Sequence, residues 1–202
     1  MPQFVQFNLS DLTDMLGEDD VKSILSSFSC PMNKDVEDFI RNKAIEFSKR
    51  GFAKTHLVFW VSDDQTEKEL VGYYTVAPKV IKVDKKAVSK SVGKRLRAQG
   101  INSHDDNEYI VPAPLIGQLG KNYADGNNCL ISGNELLALA VEKVKLVQNE
   151  IGGRFVYLEC EEKEKLLEFY QENGFKIFGK RLLDRDETGI DGEYLIQLFA
   201  IL

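Results

Sequence analysis

Cysteine, histidine, tryptophan and long apolar runs are all scarce in this chain of 202 residues. The three cysteines, Cys30, Cys129 and Cys160, are odd in number and show no CxxC or Cys/His spacing. They read as reduced thiols, which excludes a disulfide framework and argues against a structural zinc site. There are two histidines, His56 and His104. The first has the apolar neighbours of a strand and the second lies in a loop, neither with a visible acidic partner, and no Ser/His/Asp constellation points to hydrolysis. No apolar stretch approaches the ~20 residues that a membrane span requires, and the N-terminus has no basic-then-apolar signal. A cytoplasmic address is therefore expected. Positive charge is also in deficit: the net charge is −6. That argues against broad binding to polyanions and leaves room only for a local basic patch.

What is present suits one globular core. With 43% hydrophobic residues in 202, a single domain over residues 1–202 is expected, with 1–27 as an N-terminal extension. Val36, Phe39, Ile40, Ala44 and Phe47 recur on one face of a helix from about Asn33 to Arg50, stopped by Gly51. Lys54 to Val61 and Leu70 to Val76 alternate as strands do, and the polar turn Ser62 to Glu67 joins them into an antiparallel hairpin. Between Lys82 and Arg97 lie seven positive charges and one negative, Asp84. Val83, Ala87 and Val92 are weakly apolar among them, so the segment reads as an exposed helix or helical turn and as a candidate seat for an anionic partner. Gln99 to Asn107 reads as loop.

Tyr109 to Leu119 is a long apolar run containing Pro112 and Pro114. Prolines lack the N–H that a ladder needs, so the run is expected to start irregularly at an edge, with Leu115 to Leu119 as the regular strand. Lys121 to Cys129 is a polar loop. Ser132 and Glu135 then have capping-box spacing, which starts a helix near Gly133 whose buried face is Leu136, Leu137, Ala140, Val141, Val144 and Val147. A strand, a loop and a helix start make an anion site, because first-turn N–H groups have no helical partner. Arg154 to Cys160 is a buried strand. Leu166 to Glu172 follows as a short helix closed at Asn173-Gly174, and Phe175 opens the next strand. Tyr194 to Leu202 is a final apolar strand, preceded by the polar loop Asp184 to Gly192. An apolar strand at the chain end offers an edge to a second copy, which makes a homodimer a candidate. Phe59, Trp60, Phe155 and Phe199 read as sheet core.

The Phe169-Tyr170 helix end followed by Gly174-Phe175 resembles the end of the GNAT acetyltransferase fold. Phe28-Ser29-Cys30, Asp38-Phe39-Ile40, Gly51 to Thr55 and above all Leu70-Val71-Gly72-Tyr73-Tyr74-Thr75-Val76 resemble the N-terminal half of GNAT proteins of the TacT type, bacterial toxins that acetylate the amino group of aminoacyl-tRNA. Coverage runs from about Phe28 to Leu202. The resemblance implies an α/β (α+β) fold: a twisted, mostly antiparallel mixed sheet with a splayed central strand pair and flanking helices. It implies acetyl-CoA as co-substrate, no metal, and an N-acetyltransferase acting on a primary amine, with tRNA as one candidate partner through the Lys82 to Arg97 segment.

Site residues follow from the same resemblance. Leu119, Gly120 and Lys121 take the strand end that bonds the pantetheine arm. Asn128, Leu130, Ile131, Ser132, Gly133 and Asn134 take the pyrophosphate loop and helix start. The family's loop reads Q/R-x-x-G-x-G/A, of which only Gly133 is matched; Asn128 stands at the first polar position, Ile131 replaces a glycine, and the loop is about two residues longer. Lys163 stands where many members have an asparagine. Tyr170 takes the place of the acid that protonates the leaving thiolate, and the N–H of Leu119 or Gly120 would polarise the thioester carbonyl. Glu159 and Glu161 alternate with Leu158 and Cys160 and so share a face, as candidate general bases. The altered loop also keeps open a non-catalytic acyl-CoA-binding or regulatory role.

Overall fold

A computed structural model describes residues 3–101, 107–184 and 192–202. The chain divides into two compact units, Met1–Ala77 with Gly117–Ala140, and Pro78–Ile116 with Val141–Leu202. The first unit holds β1 (Gln3–Asn8), α1 (Leu9–Leu16), α2 (Glu18–Ser26), α3 (Lys34–Asp38), α4 (Ala44–Lys49), β2 (Lys54–Val61) and β3 (Lys68–Ala77). The second holds β4 (Val80–Asp84), α5 (Lys90–Gln99) and β5 (Glu108–Pro112), then β7 (Phe155–Cys160), α7 (Glu164–Glu172), β8 (Lys176–Leu182) and β9 (Tyr194–Ile201). β6 (Leu115–Lys121) and α6 (Gly133–Ile151) each begin in one unit and end in the other. The main sheet has the order β1-β2-β3-β6-β7-β9-β8, and β4 and β5 form a separate ribbon. Parallel pairing occurs between β6 and β7, whereas β1-β2, β2-β3, β7-β9 and β8-β9 are antiparallel.

In the first unit Asn33 caps α3, its side chain accepting from the Val36 N–H at 3.2 Å. The helix continues to Lys49 and Gly51 takes the left-handed conformation (φ 72°) that ends it. One feature departs from the expected helix: Phe39–Lys43 is a π-turn between α3 and α4. The hairpin forms as expected, and Asp64 accepts from Ser62 and Thr66 in its turn. Residues of the N-terminal segment form β1, which pairs with β2, and α1 and α2, whose Leu9, Leu12, Val21 and Leu25 are buried. They join Phe28, Val36, Phe39, Ile40, Leu57 and Tyr73 in one core. Each such side chain contributes roughly 1.5–3 kcal/mol when fully buried. His56 is buried against the ring of Tyr74.

The second unit corrects several expectations. The basic segment opens as a strand, not a helix: Ile81 and Val83 of β4 face inward while Lys82 and Asp84 face out, a period of two that the surrounding charges obscured. Only Lys90–Gln99 is α-helix, and its Leu96 is buried. The run from Tyr109 is not the irregular start of one strand. Tyr109 to Pro112 belongs to β5 and pairs with β4, and Ala113-Pro114 breaks the chain before β6. On α6 the expected face holds at Leu136, Leu137, Ala140 and Val144, but Val147 is exposed. Gln148 is buried instead because its amide donates to Phe155 O at 2.8 Å. Phe155 and Phe199 are core, while Phe59 and Trp60 are half-buried. β9 pairs with β7 on one side and β8 on the other, so it has no free edge for a second copy. His104 and most of the loop 184–192 lie outside the described residues.

Candidate active site

In the first unit, β6 and the loop after it form a tightly tied segment. The Gln118 N–H donates to the Thr75 hydroxyl at 2.8 Å, so a side chain replaces a main-chain carbonyl in the ladder at this point. Gly120 is required by close approach: a Cβ there would lie 2.3 Å from Val36 Cγ1. Gly72 meets Gly120 O and Leu136 in the same way, with a virtual Cβ at 2.9 and 3.1 Å. Asn122 then clamps the strand end. Its amide donates to Leu70 O, and its Oδ1 accepts the N–H of Ser29 and of Ala124.

Lys121 turns back toward the loop and donates to Asn128 O at 2.8 Å and Ile131 O at 3.1 Å. One ammonium thus ties two of the expected cofactor residues. Ile131 directs its side chain into the core, where it is 2% exposed, so the residue replacing a glycine does not block the loop's outer side. The capping box forms at α6: the Glu135 N–H donates to Ser132 Oγ at 3.1 Å, and the Ser132 N–H and hydroxyl donate to Glu135 Oε2 at 2.8 and 2.7 Å. Those bonds, the N–H first, hold the Glu135 carboxyl below its usual range, aided by the Lys121 charge. Leu119, Gly120, Lys121, Asn128, Leu130, Ile131, Ser132, Gly133 and Asn134 all belong to this unit. Sequence reasoning read Glu135 only as a cap and did not see that its charge sits at the helix start.

The second unit carries Tyr170, Glu159, Glu161 and Lys163. α7 ends as expected: Phe175 N–H donates to Tyr170 O at 3.0 Å, and Gly174 has φ 85°. The Tyr170 ring packs edge-on against Phe169 and Phe175, with centroids 5.0 and 6.1 Å away. Burial, and then the field of Cys160, push its hydroxyl well above the ordinary tyrosine range. That hydroxyl makes no hydrogen bond among the described residues. Cys160 is pushed up to about 12 by burial and then Glu161, so it is a thiol at neutral pH.

Glu159 accepts from Arg181 Nε at 2.7 Å and from Gln197 Nε2 at 2.8 Å, so both its oxygens are engaged. Glu161 lies one residue beyond β7, is 9% exposed and pairs with Lys163 at 2.9 Å. Lys163, at the N-cap of α7, therefore has a carboxylate beside its ammonium. The β6-β7 ladder consists of two pairs, Leu115 with Tyr157 and Ile116 with Leu158. No further β6-β7 pair forms among the described residues. Among the described residues no cluster of His, Cys, Asp or Glu suits a metal ion. No helix of the described residues is long and apolar enough to cross a membrane.

No family model matches the chain, and no curated protein matches it. Solved structures do. A tyrosine-to-phenylalanine mutant of KacT has a TM-score of 0.63 at 17% identity, over 98% of this chain and 95% of that one. AtaT complexed with acetyl-methionyl-tRNAfMet has a TM-score of 0.61 at 18% identity, over 96% and 94%. AtaTR bound with acetyl-CoA has a TM-score of 0.56 at 16% identity, over 98% and 92%. At these identities the likeness is one of fold, and the fold is the GNAT fold of these toxins.

Proposed function

We propose that the chain is an acetyl-CoA-dependent N-acetyltransferase that passes acetyl to a primary amine by direct attack in a ternary complex. The observation that carries this reading is Tyr170: its ring is buried, its hydroxyl has no hydrogen-bond partner among the described residues, and burial keeps its proton on far into the alkaline range. A phenol in that state is a weak acid held for a leaving group. Acetyl-CoA supplies an acetyl group activated as a thioester. The N–H of Leu119 or Gly120 polarises the acyl carbonyl, and Tyr170 gives its proton to the departing sulfur. An α-amino group titrates near ~7.7–8.0, so a neutral fraction is present at pH 7 to 8 and attack does not depend on Glu159 or Glu161, whose carboxylates are ion-paired.

The residues of the first unit suit a diphosphate in most respects. Lys121 brings a cation to the loop, and α6 starts at Gly133 with the positive end of its dipole at the loop. Glu135 opposes them, because its carboxylate takes the Ser132 N–H and places a negative charge where phosphate would sit. Glu135→Gln keeps the capping box, which accepts Gln as well as Glu, and removes only the charge. Like charges a few Å apart under near-aqueous screening cost about 1 kcal/mol, so acetyl-CoA is expected to bind roughly fivefold tighter to this variant. Calorimetry checks this, with pantetheine, which lacks the diphosphate, expected to show no change.

For the acceptor we favour aminoacyl-tRNA over a protein amine. Lys82, Lys86, Lys90, Lys94, Arg95 and Arg97 are all exposed on β4, the 3₁₀ turn after it and α5. None of the six forms an ion pair with a described residue. Changing Lys90, Lys94 and Arg95 to Gln is expected to weaken binding of total tRNA and to lower the slope of log K against log salt by about one for each phosphate no longer neutralised. An unchanged slope would assign the patch to solvent. The second reading, a non-catalytic acyl-CoA-binding protein, draws on Glu135 and on a loop that retains only Gly133. Thiol release from acetyl-CoA in the presence of aminoacylated tRNA decides between the two.

A further inference from the structure

We infer that Asp35 and Gln118 receive the amino group of the acceptor, a primary amine arriving as its ammonium ion; this rests on the acetyltransferase reading above. Gln118 is the polar interruption in the apolar residues leading to Leu119, and its Nε2 donates to Asp35 Oδ2 at 2.9 Å. Both side chains are half-buried. Asp35 forms no ion pair and no other hydrogen bond among the described residues. The cations of its own helix are engaged elsewhere: Lys34 lies 3.1 Å and Arg41 3.4 Å from Glu37. Glu37 in turn accepts the Cys30 N–H at 2.7 Å.

A half-buried carboxylate whose one partner among the described residues is a neutral amide leaves room for a cationic ligand beside it. Its field reaches the Tyr73 phenol, which burial first and Asp35 next push upward. The pair is not needed to hold α3 on the sheet. Tyr73 already donates to Val36 O at 2.6 Å, and Val36 packs directly on Gly120. Gln118 Oε1 and Asp35 Oδ1 remain as acceptors for two ammonium N–H groups.

Their position fits the chemistry. Gln118 is one residue before Leu119, one of the two main-chain donors assigned to the acyl carbonyl, so the amine and the acyl group meet along one strand. The ammonium held by Asp35 and Gln118 loses one proton to solvent. The freed lone pair forms the C–N bond as the C–S bond breaks, and sulfur takes the Tyr170 proton. A second amine proton returns to the Tyr170 phenolate through solvent and the amide keeps the third, so each turnover yields one proton.

The test compares the wild type with Asp35→Asn, Asp35→Glu and Gln118→Ala, using amino-acid methyl esters and aminoacylated total tRNA as probes. A charge-assisted hydrogen bond removed from an amine corresponds to about a tenfold or greater fall in kcat/KM for the acceptor. That fall is expected for Asp35→Asn at pH 6.5, with acetyl-CoA affinity unchanged, the deficit closing toward pH 9 where the amine is neutral unaided. Asp35→Glu should restore part of the rate, and Gln118→Ala should raise KM. If Asp35→Asn transfers acetyl like the wild type, or loses rate equally at every pH together with thermal stability, the assignment fails while the acetyltransferase reading stands. If the wild type releases no thiol with either probe, both fall.

Discussion

Tyr170→Phe is expected to lower kcat for acetyl transfer by about 100-fold or more, within the range that general acids contribute, and to leave the Kd for acetyl-CoA unchanged. The change deletes one oxygen that has no hydrogen-bond partner among the described residues, so stability should stay within about 0.5 kcal/mol of wild type. Phe169 and Phe175 keep the ring seated. A thermal melt beside a thiol-release assay therefore separates a chemical defect from a folding defect. The pH profile adds a sign. A group acting as an acid loses activity as pH rises through its pKa, and Tyr170 lies well above the ordinary value near 10. The wild type should thus rise with pH as the acceptor amine deprotonates and then hold a plateau through pH 9, with no alkaline fall from Tyr170. Expression of the wild type is expected to arrest growth and the variant to relieve it. Undiminished turnover by Tyr170→Phe would remove it from the reaction.

Gly120→Ala should cost about 1–3 kcal/mol of stability, the usual penalty for overpacking a filled core. The added methyl would lie 2.3 Å from Val36 Cγ1, 3.4 Å from Tyr73 and 3.6 Å from Phe28, so it cannot be absorbed by one flexible side chain. Val36 is buried, and its carbonyl accepts the Tyr73 hydroxyl, so moving α3 strains that bond as well. For a chain of this length each kcal/mol shifts Tm by about 2–4 °C, and a fall of several degrees is the expected reading. The strand shift also disturbs Leu119 and Lys121, so acetyl-CoA affinity should weaken in the same variant. A melt and an affinity that both match the wild type would show that α3 yields freely.

Elements with one dominant period were legible in the sequence. The β2-β3 hairpin, the Ser132-Glu135 box and the Tyr170 to Phe175 helix end each depend on neighbouring residues, and each formed as its local pattern dictates. Pairings set by the rest of the chain were not legible. The apolar character of Tyr109 to Leu119 continues across two strands because both bury a face, and hydrophobicity does not say which sheet each joins. Lys82 alternates with Ile81 and Val83, but the cations that follow outweighed that signal in a reading by charge. At the candidate site, Gln118 lies inside the run read only as the regular strand Leu115 to Leu119. Its partner Asp35 is 83 positions away, and no spacing rule reaches that far. The choice of Gln148 over Val147 as a buried residue likewise depends on a carbonyl, Phe155 O, that only the folded chain brings near.

The π-turn at Phe39–Lys43 makes the helix from Lys34 to Lys49 one residue longer than its turns require. Removing one residue there would convert the wide turn to an ordinary α-turn and leave the inward faces on either side in phase: Val36 before it, Ala44 and Ser48 after it. The helix thus carries a point where chain length can fall by one without rewriting the core, and a one-residue deletion is expected to be tolerated there before anywhere else along it. The turn also begins about one helical turn after Asp35, the expected acceptor carboxylate. Such a change would retune the approach of the substrate while the sheet stays as it is.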